Sequence, residues 1–199
     1  MTSITSWIGR LWLGLFGWQV VGETTAPRKF VLIAAPHTSN WDLPFMLATS
    51  YKMRVRVSWL GKHTLFTGVK GWFLRWLGGV AVDRNSPHNL VEQCANLFKE
   101  STDLVLVVPP EGTRKKAEYW KSGFYHIARL ANVPIGLSFL DYRKRHCGIG
   151  AFITPTGDLK KDMDFIRNFY KDIQGKVPAR VGTPRLREES EIIDHKEHG

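Results

Sequence analysis

Cysteine is nearly missing. Cys94 and Cys147 are the only two in 199 residues, they stand in unlike contexts, and no CxxC occurs. That count and spacing support neither a disulfide framework nor a thiolate zinc site, and a reducing compartment is the simpler setting. Long hydrophobic runs are missing as well. Met1 to Val21 carries one charge, Arg10, but a membrane span needs about 20 apolar residues. This stretch holds Thr, Ser, Gln and the arginine, and its charge-free part after Arg10 is too short. It lacks the basic start and A-x-A site of a signal peptide. No internal repeat or low-complexity tract is present, which argues against a solenoid or a long linker. Nor does the chain contain G-x-S-x-G, a Walker loop, H-E-x-x-H, or G-x-G-x-x-G after a strand. A histidine base in such a chain has no serine or cysteine nucleophile to serve, which suggests that it activates a hydroxyl brought by the substrate.

Acidic residues are also in short supply, 18 against 28 Lys and Arg, leaving a formal charge of +10. That charge raises the local concentration of any polyanion, whether nucleic acid, anionic lipid or a phosphorylated acyl carrier, and does not choose among them.

What is present is enough for a core. Hydrophobic residues make up 43% of the chain and aromatic residues 12%, and the length suits one domain. After Pro27, short Val- and Ile-rich runs ("KFVLIAA", "VRVSWLG", "GVAVD", "DLVLVVP", "VPIGLSFLDY") alternate with longer segments whose apolar residues fall three and four apart. The alternation predicts a single α/β domain, a largely parallel mixed sheet flanked by helices, with functional residues in loops beyond the carboxyl ends of the strands. "HCGIGAFITPTG" adds a strand and "MDFIRNFYKDIQGK" a last amphipathic helix. The boundaries that follow are an N-terminal amphipathic helix over 1–26, the main domain over 27–175, and a polar, charged, weakly ordered tail over 176–199. In the first segment Trp7, Ile8, Leu11, Trp12, Leu15 and Trp18 form an aromatic-rich face at helical spacing. Such a face suits a helix lying in a membrane interface, or one packed on the protein's own core.

Three of the expected strand ends carry reactive or anion-binding residues: "VLIAAP" runs into His37 and Asp42, "GVAV" into Asp83 and Arg84, and "LVLVVPP" into Glu111, Gly112, Thr113 and Arg114. In a parallel sheet these loops share one edge. On a continuous helix five residues subtend roughly 500°, so His37 and Asp42 meet only if the helix begins between them. Pro36, with Ser39 or Asn40 as N-cap, puts the start there, leaving His37 outside the helix and Asp42 in its first turn. A carboxylate accepting Nδ1–H fixes the imidazole tautomer and leaves Nε2 as an acceptor. An imidazole, with an ordinary pKa of about 6.5, is then a competent base near neutrality. The same residues also fit a helix cap in which Ser39 leads and Asp42 returns the bond. In "PPEGTRKK" the prolines stiffen the approach, Gly112 admits a ligand close to the backbone, and Arg114 offers a planar fork suited to phosphate, while a solvated turn is the plainer reading. His195 and His198 read as solvated tail residues, and no metal is expected.

Taken in order, "HTSNWD", "GGVAVDR", "PPEGTR" and "VPIG" resemble the glycerolipid acyltransferase family over Val31 to Ile135, in the pairing of an H-x4-D block with an E-G-T-R block about 70 residues later. The resemblance implies that His37 deprotonates the acceptor hydroxyl, that Asp42 orients and supports it, and that the hydroxyl attacks the thioester of acyl-CoA or acyl-ACP. It implies acceptor-phosphate binding by Glu111, Gly112, Thr113 and Arg114 with Arg84, and a further contact from Lys62. No cofactor is implied beyond the thioester co-substrate. The expected acceptor is a lysophospholipid, foremost 1-acylglycerol-3-phosphate giving phosphatidic acid, with another lysolipid such as a lyso-aminolipid as the alternative. The expected place is the cytoplasmic face of an anionic membrane, peripherally held. The chain departs from the pattern at Pro109, at Ala81, and in "VPIGLS", which lacks a second proline. The latter two bear on pocket shape. A basic nucleic-acid-binding module would explain the charge but leaves the His-Asp pair and the Trp-rich helix without a role, so no nucleic acid is expected. A catalytically silent lipid-binding relative would share every motif.

Overall fold

The computed structural model describes residues 3–23, 25–83 and 87–189. Its centre is a seven-stranded sheet. From edge to edge the strands run β1 (Gln19–Val20), β7 (His146–Ile153), β6 (Ile135–Asp141), β2 (Lys29–Ala34), β5 (Leu104–Val108), β3 (Val57–Lys62) and β4 (Gly79–Val82). Every neighbouring pair is parallel except β6 with β7. Those two are joined by a tight turn at 142–145, where Arg145 takes a positive φ of 53°, and only an antiparallel pair tolerates so short a connection. The expected α/β domain with a largely parallel mixed sheet is therefore borne out.

β2 and β5 are the innermost parallel pair. Their Val-, Ile- and Leu-rich sequences are buried on both faces, as strands covered by helices on each side must be. The chain moves from β2 through β3 to β4 in one direction, then back through β5 to β6. Right-handed crossovers consequently put α2 (Asp42–Met53) and α3 (Gly68–Trp76) on one face, and α4 (Pro87–Glu100) and α5 (Gly123–Ala131) on the other. The packing agrees. Phe30, Leu32, Val105 and Val107 point toward Met46 and Leu47 of α2. Val31, Ile33, Leu104 and Leu106 meet Cys94, Phe124, Ile127 and Met163 on the opposite side, Met163 belonging to α6 (Leu159–Tyr170).

The N-terminal segment differs from one continuous helix over 1–26. α1 spans Ser3–Leu15, Gly17 turns the chain with a φ of +68°, and β1 joins the sheet edge beside β7. α1 packs on α2 through its small side: Ser6, Gly9 and Leu13 are buried, and a Cβ on Gly9 would lie 2.4 Å from the Ala48 carbonyl oxygen. Ile4, Trp7, Ile8, Leu11 and Leu15 face outward, each more than half exposed. Trp18 does not belong to that outward face. It is buried and stacks on Phe45 with ring centroids 4.5 Å apart, because the turn at Gly17 carries it back over α2.

The weakly ordered tail expected from 176 onward is overturned for residues 176–189. Leu186 is fully buried and bridges to Trp120. The Leu186 amide donates to Glu189 at 2.7 Å, and Glu189 in turn pairs with Arg167 of α6 at 2.8 Å. One buried leucine and one partly buried ion pair anchor a segment whose composition is otherwise polar. His195 and His198 lie outside the described residues. Removing the anchor should loosen the strap: Leu186→Ala is expected to cost about 2–5 kcal/mol in urea unfolding, and a midpoint equal to that of the unsubstituted protein would show that the strap is not part of the cooperative unit.

Candidate active site

Register places the His37–Asp42 and Glu111–Arg114 motifs together. Ile33 pairs with Val108, so the chain leaving β2 reaches His37 at the level where the chain leaving β5 reaches Glu111. The two loops are bonded across the gap: the His37 amide donates to Glu111 Oε2 at 2.9 Å. Adjacent parallel strands that part at their carboxyl ends, one continuing to each face of the sheet, leave a crevice between them. Here it opens into a cleft of about 2670 Å³ bordered by His37, Asp42, Gly112, Thr113 and Arg114.

α2 begins at Asp42, with Trp41 as its N-cap and no side-chain capping bond from that residue. The N-cap position thus falls at Trp41 and not at Ser39 or Asn40, although Ser39 Oγ does accept the Trp41 amide at 3.2 Å. Asp42 adds the larger share, reaching back over the helix start. Its Oδ2 accepts the Thr38 amide at 2.8 Å, the Ser39 amide at 2.9 Å, and His37 Nδ1 at 3.1 Å. The capping and the catalytic readings of this stretch are thus one arrangement: the carboxylate that satisfies the loop amides also receives the imidazole proton. Nε2 of His37 has no protein partner among the described residues, and the partly exposed ring borders the cleft.

The second Asp42 oxygen is taken too. Tyr142 Oη, just past the end of β6, donates to Oδ1 at 2.9 Å. Burial would raise the Asp42 carboxyl, yet the bonds from His37, Ser39, Tyr142 and Thr38 outweigh it and hold the group below its usual value. Burial dominates the opposite way at Glu111 and pushes it up to about 7, even though the His37 amide and imidazole draw it down. Glu111, expected among the phosphate-binding residues, is buried against the His37 backbone. Its contact in the structure is with the histidine loop, whose His37 amide it accepts.

The other expected residues are distributed unevenly. Arg114 donates to Asn40 in the His37 loop, which sets a guanidinium beside the cleft. Gly112 has a φ of +64°, the left-handed region that favours glycine, and a Cβ there would meet only the flexible end of Lys121, 2.8 Å away at Cε. Thr113 Oγ1 accepts the Lys115 amide at 3.2 Å. Lys62 ends β3 opposite Val82 of β4, with β5 between it and β2, and it does not border the cleft. Arg84 lies outside the described residues. Among the described residues no three His, Cys, Asp or Glu side chains form a group that could hold a metal ion.

Sequence reasoning missed the groups that close the site from behind. Tyr142 carried a usable signal, since it follows the carboxyl end of a strand adjacent to β2. The strap carried none. Val177 donates its amide to Thr38 Oγ1 at 3.2 Å, and Arg180 donates to the Thr38 carbonyl at 3.1 Å. Lys176 lies 5.0 Å from the centre of the Trp41 ring and 5.5 Å from that of Tyr142.

Comparisons with known proteins agree with the fold. The family described as Acyltransferase matches residues 17–136. A 1-acyl-sn-glycerol-3-phosphate acyltransferase of Streptococcus pneumoniae (strain ATCC BAA-255 / R6) is 33% identical over 107 residues, 52% of this chain and 39% of that protein. A protein of the same name from Pseudomonas aeruginosa (strain PAO1) is 29% identical over 110 residues, 54% of this chain and 41% of that one. The chain thus matches less than half the length of either relative. In fold it is similar to the crystal structure of the 1-acyl-sn-glycerophosphate (LPA) acyltransferase from Thermotoga maritima, with a TM-score of 0.57, 19% identity, and coverage of 84% of this chain and 75% of that chain.

The raised Glu111 carboxyl has a consequence for stability. In the interval between its usual value near 4.5 and about 7, the folded chain binds a proton that the unfolded chain has released. Stability from this group is therefore retained at low pH and lost as pH rises through that interval. Glu111→Gln keeps an oxygen for the His37 amide and removes the titration. The unsubstituted protein should lose on the order of 1–3 kcal/mol relative to this variant between those pH values, measured as the difference between their urea-unfolding free energies. Parallel pH profiles would place the Glu111 carboxyl back in the ordinary range.

Proposed function

Because the chain belongs to the Acyltransferase family, we propose that it moves a fatty acyl group from a thioester, acyl-CoA or acyl-ACP, to the free hydroxyl of a lysophospholipid, with 1-acylglycerol-3-phosphate as acceptor and phosphatidic acid as product. The observation that carries this reading is the 3.1 Å contact from His37 Nδ1 to Asp42, with Nε2 unpartnered at the cleft. Asp42 keeps the proton on Nδ1, and Nε2 takes the proton of the acceptor hydroxyl as its oxygen bonds to the thioester carbonyl carbon. Collapse of the tetrahedral adduct breaks the C–S bond, and the departing thiolate recovers the proton from the imidazolium. No covalent enzyme intermediate forms and no cofactor beyond the donor is required, in keeping with the absence of a nucleophile motif.

The surroundings support the substrate class. Arg114 stands at the histidine loop, where a phosphate on the acceptor would meet a bidentate donor. The cleft floor is apolar, made by Leu32, Val107 and Val57, with Met46 and Leu47 of α2 on one flank and Leu74 of α3 on the other. An acyl chain laid there would gain about 0.8 kcal/mol for each methylene removed from water. Among the described residues no helix is long and apolar enough to cross a membrane. The outward apolar face of α1 supports peripheral attachment, which we assign to the cytoplasmic face of an anionic membrane.

Thiol release from acyl-CoA or acyl-ACP on addition of 1-acylglycerol-3-phosphate tests the reaction. His37→Ala should lower the rate by about 10²–10⁴-fold, and undiminished activity in that variant would remove the assigned base. Arg114→Ala should raise KM for the phosphorylated acceptor about tenfold with a smaller change in kcat. An unchanged KM, with equal turnover on a lyso-aminolipid, would move the acceptor away from phosphate.

A further inference from the structure

α3 carries its apolar stripe on the wrong side for a globular protein. Val69, Trp72, Phe73 and Trp76 fall at i, i+3, i+4 and i+7, the spacing that ordinarily faces a core. Here they are 85%, 68%, 49% and 65% exposed. The side of the helix that meets the domain is glycine: a Cβ on Gly71 would lie 2.1 Å from the Phe66 carbonyl carbon. α1 is built the same way, with Gly9 against α2 and its large apolar residues outward. In both helices the small residue is spent on the domain and the large ones are left for something else. An exposed apolar surface of this size marks an interaction site.

Charge identifies the occupant. Between Asp42 and Asp83 the chain has no acidic residue, while Lys52, Arg54, Arg56, Lys62, Lys70 and Arg75 all lie in that interval. Lys70 and Arg75 belong to α3 itself, and Arg75 is folded over the Phe66 ring at 5.4 Å, donating to the Phe66 carbonyl. Tryptophans in a stretch of chain that carries cations and no carboxylate are the complement of a lipid headgroup region that is negatively charged. A second copy of this chain, meeting through the same face, would bring like charges together. The stripe is also continuous with the proposed lipid site, because Trp76 lines the cleft into which His37 opens.

We propose that α3 is a second membrane-contacting element, lying in an anionic bilayer on the same face of the sheet as α1, so that the cleft opens onto the lipid from which its substrate comes. This rests on the reading of the cleft as a lipid site. Handedness supports the common face, since the crossovers through α2 and α3 run in the same direction and α1 packs on α2.

The test uses the full chain with Val69→Cys labelled by an environment-sensitive fluorophore, both native cysteines being fully buried. Vesicles of phosphatidylcholine containing phosphatidylglycerol should shift its emission to the blue, with a smaller shift on phosphatidylcholine alone. The same label at Lys160→Cys, on α6 across the sheet, should not respond. Val69→Ser combined with Trp72→Ser should weaken partitioning to the anionic vesicles about tenfold, with an unchanged thermal midpoint and unchanged turnover of a short-chain, monomeric acceptor. A label that stays in water while the protein co-sediments with vesicles would overturn the proposal and leave attachment to α1. Blue-shifted emission without vesicles, together with a dimer mass in sedimentation, would overturn it in favour of a second copy. Insertion of the label in a protein that transfers no acyl group would instead count against the proposed reaction and leave the contact standing.

Discussion

The Asp42 carboxylate holds the site together. It gathers the imidazole of His37, two loop amides and the hydroxyl of Tyr142, which draws the end of β2, the start of α2 and the end of β6 to one point. A buried charge survives only when its hydrogen-bonding capacity is met, and here the partners that meet it are those the chemistry needs oriented. Take the carboxylate away and the loop loses its amide acceptor at the same moment as the imidazole loses its tautomer. The helix start and the proposed catalytic pair share this one residue.

A second carboxylate backs the first from the neighbouring strand. Glu111 binds the His37 amide, so the histidine is fixed through its ring by one acid and through its backbone by another. The C-terminal strap then closes over Thr38 through Val177 and Arg180. His37, the proposed base, is thereby held by three separate stretches of chain, and among the described residues its Nε2 has no partner. Rigidity behind and access in front are what positioning catalysis requires.

Much of this was legible before any coordinates. The Val- and Ile-rich runs became β2 and β5, and two of the motifs that ended them do meet, because neighbouring parallel strands deliver their carboxyl ends to the same edge. Local pattern said less about what each side chain does on arrival. Glu111 sits in a motif that suggests anion binding, yet its neighbour across the strand gap turned out to be an amide, a contact spanning 74 positions that no local spacing encodes. Trp18 lies in phase with the outward residues of α1, but the turn at Gly17 breaks that phase. The strap reads as solvated because its composition is polar, and only the burial of Leu186 and the Glu189–Arg167 pair reveal its anchor. Long-range pairing decided Glu111 and the strap, and a turn at one glycine decided Trp18.

The two outward-facing helices and the inward-facing acid pair fit the one orientation proposed for the molecule, apolar surface toward lipid and the proposed base at the end of an apolar trough. Its central claim concerns a single proton. Nitrogen-15 chemical shifts of selectively labelled histidine, recorded at alkaline pH, report which ring nitrogen carries it. The account requires the Nδ1–H tautomer at His37, lost or mixed in Asp42→Ala. An Nε2–H tautomer in the unsubstituted protein would leave no acceptor facing the cleft and would contradict it.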